Sequence, residues 1–301
     1  MNMLFNLIVN KEHKVSRQIR NLQNFKYILN QKNKKINKKQ KEKFKLKQNT
    51  KEMSKYTREE LIYLAKISEQ TERFKDMLEY MKQVVNFEQE LSVEERRLLS
   101  IAINYVLDAD LRITNRVLSY IEQKEESNGS KHINLIKDYK KKLQDQICNF
   151  CYDSLELLDI LISKSSTEAK VYFLTKKGNQ YRYIVECQPC NTQAYDEATN
   201  FSLQTYRQAY DIAIKELNPT NHTRLSLALQ LSVFYYEIMN DPTKACNLAK
   251  QAFNDAFADI EHIEEDQYRV ATSIMQLLRD NITLWTAYEN GEDDGVQVEN
   301  I

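Results

Sequence analysis

The chain has 301 residues, 42% of them hydrophobic, a mean hydropathy of −0.64 and only four glycines and three prolines. So few turn formers exclude β-sandwiches and barrels, and Gly129, Gly178, Gly291 and Gly295 are too scattered for a dinucleotide or P-loop fingerprint. The net charge of zero conceals two opposed parts: residues 1–52 set 15 Lys/Arg against Glu12, Glu42 and Glu52, a net +12, and the remainder carries 28 basic and 40 acidic residues, a net −12.

The leading segment, residues 1–52, is Lys/Asn/Ile-rich, with NQKNKKINKKQKEKFKLKQ over Asn30 to Gln48 as its extreme. Like charges at that density repel, and too few apolar residues offset the ordering entropy, so a disordered basic leader is expected. Three readings stay open for it. It is an arm for nucleic acid or an acidic membrane surface. It is an organelle presequence, although it lacks the Ser/Arg richness of that class. Or translation starts at Met53 and the leader is not part of the mature protein.

Residues 53–288 read as one helical domain. Thr57–Glu60, Ser92–Glu95 and Ser165–Glu168 have capping-box spacing, and Asp241-Pro242 sets a cap before a first-turn proline. Apolar residues recur at three and four along Leu98, Ala102, Tyr105/Val106, Ala109, Ile113, Val117 and Ile121. They do so again along Leu143, Ile147, Phe150/Cys151, Ser154/Leu155, Leu158 and Ile162, and along Ala271, Ile274/Met275, Leu278, Ile282 and Trp285. The pattern predicts about nine helices, near 54–69, 73–87, 92–123, 131–162, 166–188, 192–216, 221–240, 242–259 and 265–288. Short connections make neighbours antiparallel. Residues 289–301 read as an acidic disordered tail.

Little in this all-α body suggests catalysis. His13, His132, His222 and His262 form no metal-binding pair, and no run of 18 apolar residues occurs. Cys148-x-x-Cys151 and Cys187-x-x-Cys190 have zinc-like spacing, but the first pair lies within an apolar helical stripe without a turn-forming glycine, which favours buried thiols over a metal. Five cysteines without a secretion signal point to a reducing compartment. Arg112 and Arg116 share one helix face, and Arg182 sits within Tyr181-Arg182-Tyr183; such arginines either pair with helix carboxylates or form an anion site. No nucleophile–base pair accompanies them, so the reading is not an enzyme, with no cofactor.

Several ordered motifs resemble the 14-3-3 family. They are Arg97-Leu-Leu-Ser100 with Arg116-Val117 and Ile121-Glu-Gln-Lys124; Lys177-Gly178 before Tyr181-Arg-Tyr183; and Leu227-Ala-Leu229 with Ser232-Val-Phe-Tyr-Tyr-Glu-Ile238. Lys244-Ala-Cys246, Leu248-Ala-Lys250-Gln-Ala-Phe253, Ile274-Met-Gln-Leu-Leu-Arg-Asp-Asn281 and Thr283-Leu-Trp285 complete the set. The match runs from about Ser54 to Trp285. The resemblance implies a concave cup of nine helices, dimeric through its N-terminal helices. It implies an adaptor whose amphipathic groove binds partner segments carrying phosphoserine or phosphothreonine, as a homodimer or a heterodimer with a paralogue. It implies the cytoplasm, with the nucleus as a second compartment, and neither a nucleic-acid nor a membrane partner. The alternative is a helical-repeat scaffold that binds peptides without regard to phosphate.

Carried over by motif, Arg112, Arg182 and Tyr183 match phosphate-binding residues, and Arg116 the arginine one turn along. Leu229, Val233, Ile274 and Leu277 match the groove's apolar wall, Asn281 a group on the ligand backbone, and Glu237 and Trp285 polar groups at the rim. At the dimer interface Leu64 and Ile67 match apolar contacts, and Arg73 and Asp76 match cross-subunit ion pairs with the region of Tyr139 and Lys142; Gln146 replaces a glutamate there. Three departures touch the groove. Gln230 replaces a second asparagine, and Ser273 stands where the wall has leucine. One extra residue lies between Leu98 and Arg116, which rotates everything upstream by about 100° unless a π-bulge absorbs it. The family's phosphate-contacting lysine falls there, on Asn104 or Tyr105, and no Lys or Arg occurs from Leu98 through Leu111.

Overall fold

The computed structural model describes residues 56–290. The basic leader 1–52 and the tail beyond Asn290 lie outside them. Ten α-helices occur among the described residues, and no strand. They are α1 (Arg58–Gln70), α2 (Phe74–Val85), α3 (Val93–Asn104), α4 (Ile113–Ser127), α5 (Ile133–Lys164), α6 (Thr167–Glu186), α7 (Gln193–Glu216), α8 (His222–Glu237), α9 (Pro242–Asp259) and α10 (Glu265–Asn290). The count exceeds nine because a π-helical segment, Tyr105–Arg112, divides the expected third helix into α3 and α4. Each i→i+5 bond takes in one more residue per turn than i→i+4, and that absorbs the extra residue.

Local chemistry sets the helix starts. Thr57 and Ser92 close capping boxes with Glu60 and Glu95, and Asp241 Oδ1 accepts from Lys244 N at 3.0 Å ahead of Pro242. The third expected box does not form. Ser165 donates back to Leu161 O, Ser166 takes the N-cap, and its N–H and Oγ–H both donate to Glu90 Oε1 instead. With glycine so scarce, Glu72, Asn191 and Asn240 adopt φ of 55°, 65° and 49° at helix connections.

Helix α6 lies at the centre of the packing. Phe173 joins Leu61, Met77, Met81, Leu98 and Leu158 in one cluster; Tyr183 and Ile184 join Leu107, Ile147 and Cys151 in a second; Val171 and Leu174 join Tyr206, Leu231 and Phe234 in a third. Gly178 permits the close approach of α7: a Cβ there would lie 2.7 Å from the ring of fully buried Tyr206. Tyr206 Oη donates to Asn179 Oδ1 at 2.5 Å, and Ser202 Oγ to Gly178 O at 3.0 Å. These contacts fix the rotation of α6 about its axis, and so the direction of Arg182. A fourth cluster ties α8, α9 and α10 together through Leu225, Ala249, Met275, Leu278 and Trp285.

Two of the three apolar stripes are buried as expected. The first is not: it fails beyond the π segment, where Ile113, Val117 and Ile121 are 57%, 51% and 37% exposed. The inserted residue leaves Leu98 and Ala102 inward while the downstream half of the stripe faces out.

Candidate functional site

A basic cluster forms where the π segment ends against the last turn of α6. Arg112 closes the segment and reaches 74 residues along the chain to Glu186, with Nη2 at 2.8 and 3.1 Å from the two carboxylate oxygens and Nε at 3.2 Å. Its guanidinium lies 4.0 Å from the ring centroid of Tyr183, and that of Arg182 lies 5.3 Å from the same ring. Tyr183 is thus a shared platform for two cations.

Arg182 is only 7% exposed, yet its guanidinium makes no hydrogen bond among the described residues. The nearest carboxylate oxygens are those of Glu186 at 3.9 Å and Glu237 at 4.0 Å, beyond hydrogen-bond range. Burial works against its charge, but Tyr206, Tyr183, Glu186 and Glu237 outweigh that and hold it above the ordinary arginine value. Arg182 therefore stays charged, buried and short of acceptors. Arg116, one turn further along on α4, is exposed.

Glu237, at the end of α8, joins this cluster to an apolar surface. Leu229 and Val233 on α8 and Ile274 on α10 are half-buried against the core, while Leu277 and Leu284 are 52% and 51% exposed along α10. Gln230 and Asn281 are half-buried on the same two helices, and Ser273 is exposed. Trp285 departs from expectation: it is 3% exposed and stacks on Tyr236 at 4.8 Å, so it backs the wall from within the core instead of standing at a rim. A separate cleft of about 580 Å³, at the starts of α6, α8 and α10, is lined by Glu168, Glu216, His222 and Asp266 and by no Lys or Arg.

The π segment separates the two candidates for the missing lysine. Asn104 lines a cavity of about 20 Å³ between α3 and α6, with Ser100, Lys176 and Gln180. Tyr105 turns the other way and stacks on Phe74 at 3.6 Å between centroids. Only Asn104 faces the helix that carries Arg182.

Comparison with known proteins agrees with this architecture. A family model described as 14-3-3 protein matches residues 64–286. The chain is 50% identical over 228 residues to a 14-3-3 protein homolog of Candida albicans, covering 75% of this chain and 85% of that protein. It is 48% identical over 239 residues to Protein BMH2 of Saccharomyces cerevisiae, covering 77% and 86%. It is 46% identical over 239 residues to a 14-3-3-like protein of Solanum tuberosum, covering 77% and 92%. The chain belongs to the 14-3-3 family. As a member it is an adaptor that binds partner proteins.

The structure brings Arg112, Arg182, Tyr183 and Glu237 together, and leaves the residues matched to the 14-3-3 dimer contact at the surface. Leu64 is half-buried, Ile67 is 39% and Tyr139 56% exposed, and Lys142 is exposed. Arg73 Nε, at the N-cap of α2, donates to Asp76 at 2.5 Å. Two residues escaped the sequence reading. Glu186, which engages both arginines, was signalled only by lying four residues after Arg182. Lys176, half-buried with its ammonium 5.4 Å from the Tyr172 ring centroid, adds a cation to the Asn104 cavity. Among the described residues no group of three or more His, Cys, Asp or Glu could hold a metal ion. No described helix is long and apolar enough to cross a membrane.

Proposed function

We propose that this adaptor binds partner segments through a phosphorylated serine or threonine. Arg112 and Arg182 hold the phosphate beside Tyr183, and the surface of Leu229, Val233, Ile274 and Leu277 receives the flanking side chains. The observation that carries the reading is Arg182. A guanidinium that is nearly buried without hydrogen bonds is costly, and nearby carboxylates at 3.9 and 4.0 Å compensate only through space. A phosphate dianion supplies the acceptors it lacks, through paired N–H···O bonds. Arg112 is held ready by Glu186, which stays in place as a counter-charge when the site is empty. Asn281 and Gln230 carry side-chain amides suited to an extended ligand backbone.

The active form is a dimer, homodimeric or paired with a paralogue, formed through the N-terminal helices. Exposed apolar side chains recur there at helical spacing: Tyr63 and Ile67 on α1, Ile113, Val117 and Tyr120 on α4, and Leu135 and Tyr139 on α5. A surface this apolar favours a partner. The compartment proposed is the cytoplasm, with access to the nucleus. The deciding experiment titrates the purified protein with a phosphoserine peptide and with its unmodified twin. Binding of the first alone is expected. Equal affinity for both would replace this reading with that of a phosphate-indifferent helical scaffold.

A further inference from the structure

The two Cys-x-x-Cys pairs are left unused by the adaptor function, and their geometry is unequal. Cys148 lies midway along α5 and is partly accessible; Cys187 caps α6 and is 6% exposed; Cys190 lies free on the surface. The Cys148 and Cys187 side chains pack in one cluster, and Gln188 Nε2 donates to Cys148 sulfur at 3.4 Å. Cys151 packs in the same cluster but is buried. Of the three thiols in this cluster, Cys148 alone is more than marginally accessible. Cys187 lies just beyond the last helical residue, Glu186, where backbone adjustment is easier than within α6.

We propose that Cys148 and Cys187 form a peroxide-reactive thiol pair that closes to an intramolecular disulfide. Cys148 is the attacking sulfur and Cys187 the resolving one. The neighbouring Cys187 foremost, and then Gln188, hold the Cys148 thiol down to about 7 against the effect of burial, and Cys187 is pushed up. Near neutrality a large share of Cys148 is therefore thiolate, the nucleophilic form. Its sulfur attacks a peroxide oxygen, the O–O bond breaks, and the departing hydroxide takes up a proton to give water. Cys148 is left as a sulfenic acid. The Cys187 sulfur then loses its proton and attacks Cys148, the S–O bond breaks, and a second water leaves. One peroxide is reduced to two waters while two thiols become one disulfide. The cross-link ties the end of α6, one residue beyond Glu186, to α5.

The test treats the full chain with a small molar excess of hydrogen peroxide, blocks the remaining thiols, and maps peptides without reduction. Fragmentation should place the bond between Cys148 and Cys187, and reductant should abolish it. Chain Cys190→Ser should form the same bond. Chain Cys187→Ser should instead accumulate a sulfenic acid at Cys148, trapped by dimedone. In the wild-type chain the rate of disulfide formation should rise severalfold from pH 6 to pH 8, as the Cys148 thiolate fraction grows. A bond to Cys190 or Cys151, or oxidation at Cys190 with Cys148 still reduced, would overturn the proposal. None of these readouts involves a peptide ligand, so they stand or fall apart from the phosphate reading.

Discussion

Replacing Asn104 with lysine should strengthen phosphopeptide binding, and replacing Tyr105 should not. The two positions are adjacent in sequence but face opposite ways across the start of the π segment: Asn104 lines the cavity against α6, and Tyr105 stacks on Phe74. A charge-assisted hydrogen bond contributes about 1.5–3 kcal/mol. Asn104 is exposed, a lysine there loses rotamer freedom on binding, and Lys176 on the same cavity repels it. A net gain of about 0.7–1.4 kcal/mol follows, or roughly three- to tenfold in affinity. Tyr105→Lys instead gives up the aromatic pair, about 0.5–1.5 kcal/mol of stability, without approaching the arginines. Fluorescence anisotropy with a labelled phosphoserine peptide, alongside thermal melts of each variant, separates the two effects. Tighter binding by Tyr105→Lys with none by Asn104→Lys would refute the register assigned to residues 98–112.

Arg182→Ala should abolish phosphopeptide binding, a loss of about 2–5 kcal/mol, with the helical circular dichroism intact. Arg112→Ala should cost about as much, because Glu186 is then released to compete with phosphate for Arg182; unchanged affinity in either variant removes the site assignment. Light scattering at micromolar concentration should give a dimer, and Ile67→Asp should shift it toward monomer, whereas Arg73→Ala should do little, an exposed ion pair being worth about 0–1 kcal/mol. Gly178→Ala should lower stability by about 1–3 kcal/mol in urea, since its Cβ meets the fixed Tyr206 ring; a neutral result would mean that α6 and α7 can separate. Glu69 and Glu94 are both held below the ordinary carboxylate value of 4.5, chiefly by hydrogen bonds from Arg97. Their contribution is present above pH 4.5 and lost as pH falls through the lowered values, so urea midpoints of wild type and Arg97→Met should converge on the acid side.

How much was legible in the sequence followed from how local each signal was. The boxes at Thr57 and Ser92 and the cap at Asp241 depend on residues three apart, and they formed. Ser165–Glu168 had the same spacing and failed because the helix starts one residue later: Ser165 bonds back to Leu161 O, and Ser166, the N-cap, is held by the distant Glu90. Periodicity behaved likewise. The stripe along α5 was buried as expected, but the stripe through Ile113, Val117 and Ile121 was not, since a repeat states which residues share a face and not what covers it.

The basic cluster carries that reasoning furthest. Arg182 and Arg112 could be named from motifs, yet the property that suits them to the proposed phosphate site is a balance of distances across three helices. Glu186 bonds Arg112 at 2.8 Å but stands 3.9 Å from Arg182. Had the π segment been an ordinary α-helical turn, Arg112 would come round α3 with a different phase, and Glu186, four residues after Arg182 on the same helix, would be free to neutralise it. By bringing Arg112 onto Glu186, the π segment keeps the carboxylate occupied and leaves Arg182 buried, charged and short of acceptors, the condition under which a phosphate dianion gains most by entering.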